Sequence, residues 1–269
     1  LTATDAAGNT ATCTFNVVVT DVTAPTITCP ANITANTAAG VCTASVVNPN
    51  PTTADNCSVA GTTWSTAGAT VLAGAGNVGT QTFNEGVTTV TYIVTDGAGL
   101  TATCSYTVTV NDNQNPTITC PAAQTVVGNA SCQGTLGNYV GMAVTADNCG
   151  VASVTQAPAA GTVFVGLQVV TLTVTDVNGL TTNCTFNVTV TDVTPPTITC
   201  PAAQAGTVNG SCQFALLNYT GMAVAADNCG APTVTQSPVT GTLVTIGTTV
   251  VTLTATDAAG NTATCTFNV

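Results

Sequence analysis

Residues Val87–Val110 read VTTVTYIVTDGAGLTATCSYTVTV, and this stretch determines the fold class. Two runs rich in Val, Ile, Thr and Tyr flank the turn residues Asp96–Gly99. β-branched and aromatic residues favour strands, and Asp and Gly between them favour a turn, so the stretch predicts a β-hairpin. The pattern recurs at Val169–Val190 and Thr248–Val269. Residues that favour helices are scarce, so we expect no long helix.

Three motifs recur along the chain and predict tandem domains. Pro-Thr-Ile-Thr-Cys-Pro ends each domain's first strand, Ala-Asp-Asn-Cys lies near its middle, and Thr-Asp-x-x-Gly with Cys five residues later lies in the last hairpin. Six or seven short strands in about 80–90 residues are typical of an immunoglobulin-like sandwich. The sequence therefore predicts an all-β chain of tandem immunoglobulin-like β-sandwich domains. Short linkers that contain Pro predict that the domains stack end to end as a rod.

The spacing of these motifs gives the domain bounds. Residues 1–20 form the last hairpin of a truncated domain, and full domains follow at 21–111, 112–191 and 192–269. The first full domain carries an insertion at 62–83, which contains the only Trp, Trp64. Leu1–Val17 is identical to Leu253–Val269, whereas the corresponding stretches of the middle domains differ. We interpret this identity as a super-repeat of 252 residues within a longer tandem array.

The composition excludes several classes of function. The 269 residues include no Lys, Arg or His, and the formal net charge is −11. No cationic side chain is available to neutralise phosphates, so we expect no binding to nucleic acid or to anionic lipid. Catalysis by Ser-His-Asp or Cys-His groups and zinc sites that contain His are also excluded, and we expect that the protein is not an enzyme. No run of 18 apolar residues is present, so we expect no membrane insertion in this segment.

The cysteines predict disulfides. The chain contains 13 Cys, which is four for each full domain plus Cys13. Regular spacing without His or a Cys-x-x-Cys motif favours disulfides in an oxidising, extracytoplasmic compartment over zinc. Spacing does not determine the connectivity. In an immunoglobulin-like trace the first strand lies beside the last, which favours one long-range pair per domain and leaves the two middle cysteines to pair locally. The expected pairs are Cys29–Cys104, Cys120–Cys184 and Cys200–Cys265 over long range, and Cys42–Cys57, Cys132–Cys149 and Cys212–Cys229 locally.

The acidic residues predict metal sites. Each full domain has one Asp in its incoming linker, one before Asn-Cys and one in its last hairpin turn, and these three loops lie at the same pole of an immunoglobulin-like sandwich. A cluster of carboxylates without basic partners requires a cation, and hard oxygen ligands favour Ca²⁺ over Mg²⁺. We predict about one Ca²⁺ site per domain junction. The alternative is that these residues only form Asx-turns. The candidate ligands are Asp21, Asp55, Asn56 and Asp96; Asp112, Asp147, Asn148 and Asp176; and Asp192, Asp227, Asn228 and Asp257.

At these motifs the chain resembles the hyalin repeat (HYR) family. The matching residues are DVTAPTITCP at 21–30, PTTADNC at 51–57 and TDAAGNTATC at 256–265. The resemblance implies an extracellular, immunoglobulin-like adhesion module of a kind present in animal cell-surface proteins and in long repetitive surface proteins of bacteria. The complete lack of basic residues and the insertion with Trp64 depart from the family pattern.

Three functional hypotheses remain. The first is a structural component of an extracellular filament or surface stalk, on a bacterial surface, in which copies of the chain or continuing repeats are the partners. The second is a cell-surface adhesin that binds glycans or another cell through its exposed faces or its insertion. The third is a filament in which a strand of one subunit completes the sandwich of the next. All three place the protein outside the cell or on its surface.

Overall fold

The computed structural model describes residues 1–269, and it is almost entirely β. It contains 26 strands and two one-turn 3-10 helices, at Val140–Met142 and Thr220–Met222. The prediction of an all-β chain without long helices is confirmed. The chain divides into two compact units, Leu1–Asn115 with Asp147–Gly150, and Pro116–Ala146 with Val151–Val269. We call them unit 1 and unit 2.

Unit 1 contains a short N-terminal hairpin and one complete sandwich. The hairpin pairs β1 with β2, and both strands are fully exposed. The strands of unit 1 are β1 (Thr2–Thr4), β2 (Thr10–Thr12), β3 (Thr26–Thr28), β4 (Ile33–Asn36), β5 (Thr43–Val47), β6 (Thr52–Ala54), β7 (Val59–Gly68), β8 (Ala73–Ala75), β9 (Thr80–Asn84), β10 (Gly86–Asp96) and β11 (Thr101–Asn111).

The main sheet of unit 1 has five strands in the order β4-β11-β10-β7-β8. Its centre is the predicted hairpin, in which β10 and β11 pair antiparallel with Tyr92 opposite Cys104. Strand β4 joins β11 in parallel, and β7 pairs antiparallel with β10. The pairs β3–β6 and β5–β9 supply the opposing layer.

Alternation along the strands builds the core between these layers. Val90, Tyr92 and Val94 of β10 are fully buried, and the residues between them lie on the other face. Val90 and Tyr92 pack with residues of the opposing layer, among them Val46 and Phe83. Successive side chains of a strand point to opposite faces, so one Val/Tyr face forms the core and the Thr-rich face contacts solvent. The sequence therefore forms a sandwich although it has few large side chains.

The insertion at 62–83 is part of the sandwich and not a surface loop. Its first residues belong to the long strand β7, where Trp64 pairs with Tyr92 and is 8% exposed. It also provides the edge strand β8, and Gly74 of β8 lies so close to the Trp64 ring that a Cβ would be 2.7 Å from it. The residues 62–83 thus contribute to the core of unit 1, and deleting them would remove both Trp64 and Phe83.

Unit 2 repeats the sandwich arrangement twice. Its sheets are β13-β19-β18-β16 and β23-β25-β26, accompanied by the pairs β12–β15, β14–β17, β20–β22 and β21–β24. The strands are β12 (Thr117–Thr119), β13 (Gln124–Val127), β14 (Gln133–Thr135), β15 (Val144–Ala146), β16 (Val151–Ala157), β17 (Val163–Val165), β18 (Leu167–Asp176), β19 (Thr181–Thr191), β20 (Thr197–Thr199), β21 (Gln213–Ala215), β22 (Val224–Ala226), β23 (Thr233–Ser237), β24 (Leu243–Thr245), β25 (Val250–Thr256) and β26 (Thr262–Asn268).

Each sandwich of unit 2 has its own core. In the first, Tyr139 and Phe186 pack edge to face with ring centroids 5.2 Å apart, beside the fully buried Leu172. In the second, Tyr219 and Phe267 form the same pair at 5.2 Å, beside Leu253. Edge-to-face packing is a favoured aromatic geometry. The recurrence of the pair shows that the two cores are built in the same way.

Three disulfides connect the first and last strands of the sandwiches. The bonds are those expected from the sequence, Cys29–Cys104 in unit 1 and Cys120–Cys184 and Cys200–Cys265 in unit 2. All six cysteines pack against the hydrophobic cores. These bonds close loops of 64 to 75 residues, and such long closures stabilise mainly by restricting the unfolded chain.

The three local disulfides expected from the sequence, Cys42–Cys57, Cys132–Cys149 and Cys212–Cys229, are absent. Instead, Cys42 bonds with Cys149 and Cys132 bonds with Cys229. Cys13, Cys57 and Cys212 are free and exposed. The two middle cysteines of a repeat lie on different loops, and both observed bonds join middle cysteines of neighbouring repeats. Cys149 belongs to the Asp147–Gly150 segment, which clusters with unit 1 and is covalently attached to it.

We predict that Phe83→Ala destabilises unit 1 by about 3–5 kcal/mol, because it leaves a cavity at a fully buried position. The matched control is Phe15→Ala, because Phe15 is 67% exposed and its loss should cost less than about 0.5 kcal/mol. Urea unfolding followed by the fluorescence of Trp64 measures both. Equal effects of the two substitutions would contradict the described core.

We predict that digestion with a protease that cleaves before Asp separates the two disulfide schemes. Without reduction, fragment 21–54 should remain linked to fragment 147–175 through Cys42 and Cys149, and fragment 55–95 should be released with a free thiol. Mass spectrometry measures this directly. A link between fragments 21–54 and 55–95 would instead establish the local pair Cys42–Cys57.

Candidate metal centres

The three sequence-predicted acids of the first full domain lie together in unit 1. Asp21 comes from the linker, Asp55 precedes the Asn-Cys pair, and Asp96 ends β10. Each contributes a carboxylate oxygen, and these oxygens lie within 4.8 Å of one another. Asp96 is only 2% exposed. The hairpin turn and two loops therefore bring three carboxylates to one end of the sandwich.

The same three positions converge in the last domain, within unit 2. Ligand oxygens of Asp192, Asp227 and Asp257 also lie within 4.8 Å of one another. Asp257 is 8% exposed, and the other two are half-buried. The sequence contains no Lys, Arg or His to balance either cluster. Both clusters are thus concentrations of negative charge without a side-chain counterion.

Local turns fix the carboxylates, as the Asx-turn alternative expects. One oxygen of Asp55 accepts hydrogen bonds from the backbone N–H groups of Cys57 (2.9 Å) and Ser58 (2.8 Å). One oxygen of Asp96 likewise accepts from Ala98 (2.9 Å) and Leu100 (2.8 Å). Such bonds are the usual reason for Asp in turns. They involve only one of the two oxygens of each carboxylate.

The carboxylate oxygen that takes no part in the turn is the atom that separates a metal site from a simple Asx-turn. On most of the clustered acids it is buried and has no hydrogen-bond partner. A buried carboxylate oxygen without a partner is costly unless a cation binds it. The oxygens in this condition are Asp21 Oδ2, Asp55 Oδ1, Asp96 Oδ2, Asp112 Oδ2, Asp147 Oδ1, Asp176 Oδ2, Asp192 Oδ2 and Asp227 Oδ1. Each of these acids therefore has one oxygen without a partner, which is available to a cation.

The acids of the middle domain are divided between the two units. In unit 1, Asp112 and Asp147 present oxygens within 4.8 Å of each other. Burial raises the pKa of Asp112, but hydrogen bonds from Asn148, the backbone of Gln114 and Thr37 outweigh it and leave the pKa below the ordinary value. In unit 2, Asp176 is 1% exposed at the hairpin turn. Its Oδ1 accepts the N–H groups that follow in the turn, as in Asp96.

The predicted asparagines take different roles. The Asn56 amide donates to Asp21 Oδ1 at 3.3 Å, and the Asn148 amide donates to Asp112 Oδ1 at 3.1 Å. The Asn228 amide donates to the carbonyl oxygen of Asn129 at 3.2 Å, and its own Oδ1 is buried without a partner. Asn56 and Asn148 thus support a carboxylate in their own unit. Asn228 alone has a free buried carbonyl oxygen.

Two neighbours of the sites are not evident from the acid pattern. The Asn261 side chain donates to Asp257 Oδ2 at 2.8 Å, which occupies the oxygen that is free in Asp96 and Asp176. Burial raises the pKa of Asp257, but the hydrogen bonds from Asn261 outweigh it and lower the pKa. The sequence shows this difference, because the third full hairpin has Asn261 where the other two have Leu100 and Leu180. Gln114 also anchors the linker after β11, by accepting from Gly40 N at 2.9 Å.

The charge of the first cluster also affects a thiol. Asp21, first by hydrogen bonding and then by its charge, raises the pKa of Cys57. The pKa of Asp21 is itself lowered, first by the N–H of Thr23 and then by Asn56. A negatively charged pocket thus surrounds the free cysteine. Cation binding to this pocket would reduce its repulsion of a thiolate.

The match to a family model covers practically the whole chain. Residues 20–110, 111–190 and 191–269 each match the HYR domain. The chain belongs to the HYR family. HYR domains are of a repeated adhesion or structural type and are not known as an enzyme family. The expected resemblance is thereby confirmed.

Two curated relatives are both hyalins of sea urchins. Hyalin of Strongylocentrotus purpuratus is 32% identical over 95% of this HYR chain, which spans 21% of that protein. Hyalin of Lytechinus variegatus is 35% identical over 98% of the chain, which spans 50% of that protein. The chain thus spans half or less of the length of these relatives.

The chain is also similar to solved structures. A human CDH23 EC21-23 structure is 16% identical with a TM-score of 0.41, and the alignment covers 83% of this chain and 93% of that one. A Ca²⁺-stabilised adhesin of an Antarctic bacterium is 18% identical with a TM-score of 0.32, covering 99% and 79%. None of the helices in the HYR chain has the length and apolar character needed to cross a membrane.

We predict that Asn261→Leu raises the pKa of Asp257, because the substitution removes the donor to Oδ2 and installs the residue found in the other two full hairpins. A pKa below 3.8 in the folded state contributes stability above that pH, which is lost as the pH falls through the lowered value. Carboxyl ¹³C NMR in metal-free buffer measures the pKa. Asn9→Leu is the matched control, because it removes the same donor from Asp5, which is exposed and lies in a turn outside the acid clusters. An unchanged Asp257 pKa in Asn261→Leu would refute this role of Asn261.

Proposed function

We propose that this HYR chain is a calcium-stabilised, disulfide-linked part of an extracellular filament or surface stalk. Its acid clusters bind Ca²⁺, its disulfides lock the domains, and its partners are further HYR repeats. The observation that carries the proposal is the set of buried, unpartnered carboxylate oxygens at the clustered acids. The role is structural and involves no reaction.

The geometry favours calcium over other ions. The ligands are carboxylate oxygens, supplemented in unit 2 by the free Oδ1 of Asn228. The sequence has no imidazole, and the reduced sulfur beside the first cluster is the single thiol of Cys57. Hard oxygen ligands suit Ca²⁺ and Mg²⁺ rather than zinc or copper. Ca²⁺ accepts six to eight oxygens in flexible geometry, whereas Mg²⁺ retains several waters and needs a near-ideal octahedron. Clusters formed by three separate loops suit the more tolerant ion.

The disulfides support a location outside the cytoplasm. Five bonds hold ten of the 13 cysteines in this chain. Disulfides persist in oxidising compartments and are rare in cytosolic proteins. The similarity to hyalins agrees with such a location. An extracellular setting also supplies free Ca²⁺, which the clusters need.

A structural role is favoured over glycan binding by the position of the insertion. In the adhesin hypothesis, glycans or another cell bind to the exposed faces or to the insertion at 62–83. Instead, this insertion holds Trp64, whose ring lies in the core of unit 1. An aromatic side chain that is 8% exposed offers no stacking surface to a sugar. Adhesion through contacts between repeats remains compatible with the filament role.

We predict that Ca²⁺ raises the melting temperature of the metal-free chain, and that at 100 times the dissociation constant it adds about 2.7 kcal/mol to the free energy of unfolding. Asp96→Asn should weaken binding at the first site by at least about tenfold, because Asn retains the oxygen that accepts from Ala98 and Leu100 but lacks the charge. Calorimetric titration with Ca²⁺, and in parallel with Mg²⁺, measures both effects.

The matched control is Asp5→Asn. Asp5 occupies the same turn position as Asp96, but it is exposed and belongs to none of the three-acid clusters. This substitution should leave Ca²⁺ binding and the melting temperature unchanged. A melting temperature that is the same in Ca²⁺ and in EDTA would refute the calcium role, and equal stabilisation by Mg²⁺ would refute the preference for calcium.

A further inference from the structure

We propose that Cys57 and Cys212 are the open ends of a disulfide series that joins each HYR domain to the next. Each of them forms a disulfide with the complementary cysteine of an adjacent HYR repeat. The repeat is either the continuation of a longer chain or a second copy of this chain, since both present the same chemistry. The inference extends the disulfide part of the proposed function and does not depend on calcium binding.

The two unexpected disulfides follow one rule. We name Cys42, Cys132 and Cys212 the turn cysteines, and Cys57, Cys149 and Cys229 the loop cysteines. Cys42 of the first domain bonds with Cys149, the loop cysteine of the second, and Cys132 of the second bonds with Cys229 of the third. Each bond therefore connects a turn cysteine to the loop cysteine of the following domain.

This rule leaves one cysteine of each type without a partner. Cys57 is the loop cysteine of the first domain and would need a turn cysteine from a preceding repeat. Cys212 is the turn cysteine of the third domain and would need a loop cysteine from a following repeat. Both are free and exposed. The two free cysteines are thus complementary and lie in the first and the last full domain.

Cys212 already has the conformation of its bonded counterpart. Cys132 and Cys212 are the only non-glycine residues with positive φ, at 58° and 57°. In both turns the asparagine three residues earlier accepts two backbone N–H groups through its side chain, at 2.9–3.1 Å. The left-handed conformation is unfavourable for a residue with a Cβ and calls for an explanation. In Cys132 it accompanies the disulfide, and Cys212 retains the same geometry with a free thiol.

Cys57 likewise shares the geometry of the bonded loop cysteines. Its N–H donates to Asp55 Oδ2 at 2.9 Å, and the Cys149 N–H donates to Asp147 Oδ2 at 2.8 Å. The amide of the preceding asparagine donates to the sulfur at 3.4 Å in Cys57 and at 3.3 Å in Cys149. The loop is therefore formed in the same way whether or not the sulfur is bonded. Little rearrangement is needed for Cys57 to accept a partner.

The proposed step is a two-electron oxidation of two thiols. With oxidised glutathione as the oxidant, one cysteine thiolate attacks its S–S bond, releases one glutathione thiolate and forms a mixed disulfide. The second cysteine thiolate then attacks the protein sulfur of that mixed disulfide, forms the S–S bond between repeats and releases the second glutathione thiolate. Two protein thiols are oxidised, one glutathione disulfide is reduced to two glutathione molecules, and the thiol protons pass to these products.

The test uses the full chain with Cys13→Ser, which removes the third free thiol. Under a glutathione redox buffer at high protein concentration, this chain should give a series of covalent oligomers on non-reducing gels. Adding Cys57→Ser or Cys212→Ser should leave each variant monomeric, and an equal mixture of these two variants should give a dimer. In that dimer, cleavage before Asp should yield fragment 55–95 linked to fragment 192–226. The matched control is Thr53→Ser, which retains both thiols and should oligomerise like the parent.

A second arm distinguishes continuation of the chain from a second copy. Because Leu253–Val269 repeats Leu1–Val17, residues 18–111 can be repeated in register after Val269, with the added copy of Cys42 changed to Ser. A bond between Cys212 and the added copy of Cys57 in monomers, without oligomers in the first arm, assigns the partner to the same chain. Oligomers in the first arm assign it to a second copy. Three outcomes would overturn the proposal. The first is that neither arm gives a bond between a Cys57 and a Cys212 of different repeats. The others are a bond between Cys57 and Cys212 of the unextended chain within one molecule, and dimers linked through Cys57 to Cys57 or through Cys212 to Cys212.

Discussion

The structure depends on the fact that every carboxylate in this chain lacks a positively charged side chain to pair with. Water solvates the charge of an exposed carboxylate, whereas burying an unpaired carboxylate costs a large desolvation free energy. Asp96 and Asp176 are 2% and 1% exposed, and each has one oxygen without a hydrogen-bond partner. The polar backbone of the turns satisfies the first oxygen of each, and the second is left without a partner inside the protein. The proposed Ca²⁺ would satisfy this second oxygen.

The same constraint explains how the small sandwiches are stabilised. No ion pair between side chains is available, and the aromatic content is 4%, so the cores rely mainly on Val, Leu and a few Tyr and Phe. Each core therefore has limited apolar area to bury, and small domains commonly compensate with disulfides or metals. In each sandwich a disulfide connects the first strand to the last, beside the core. Covalent bonds and acid clusters take the place of salt bridges.

The features that could be predicted from the sequence are those that depend on a local pattern. The alternation in Val87–Val110 predicts the hairpin of β10 and β11, and repetition of the motif predicts that Asp21, Asp55 and Asp96 meet, as their carboxylates do. Connectivity between loops depends on how neighbouring repeats approach each other, which no motif encodes. For this reason proximity in sequence predicts a Cys42–Cys57 pair, whereas Cys42 bonds with Cys149 of the next repeat and Cys57 is free. The burial of Trp64 in the insertion is likewise not evident from the sequence, because its pairing with Tyr92 is a tertiary contact.

The acid clusters and the disulfides between repeats are coupled through one short loop. Asp227 and Cys229 are two residues apart in unit 2, and the Asp227 carboxylate accepts the N–H of Cys229 at 2.8 Å. The loop therefore holds a cluster acid on one side of Asn228 and a disulfide on the other. A cation at the carboxylates would fix the loop that carries the sulfur, and the disulfide in turn reduces the freedom that the loop would lose on binding a cation. Under the proposed calcium role, each constraint would lower the entropic cost of the other.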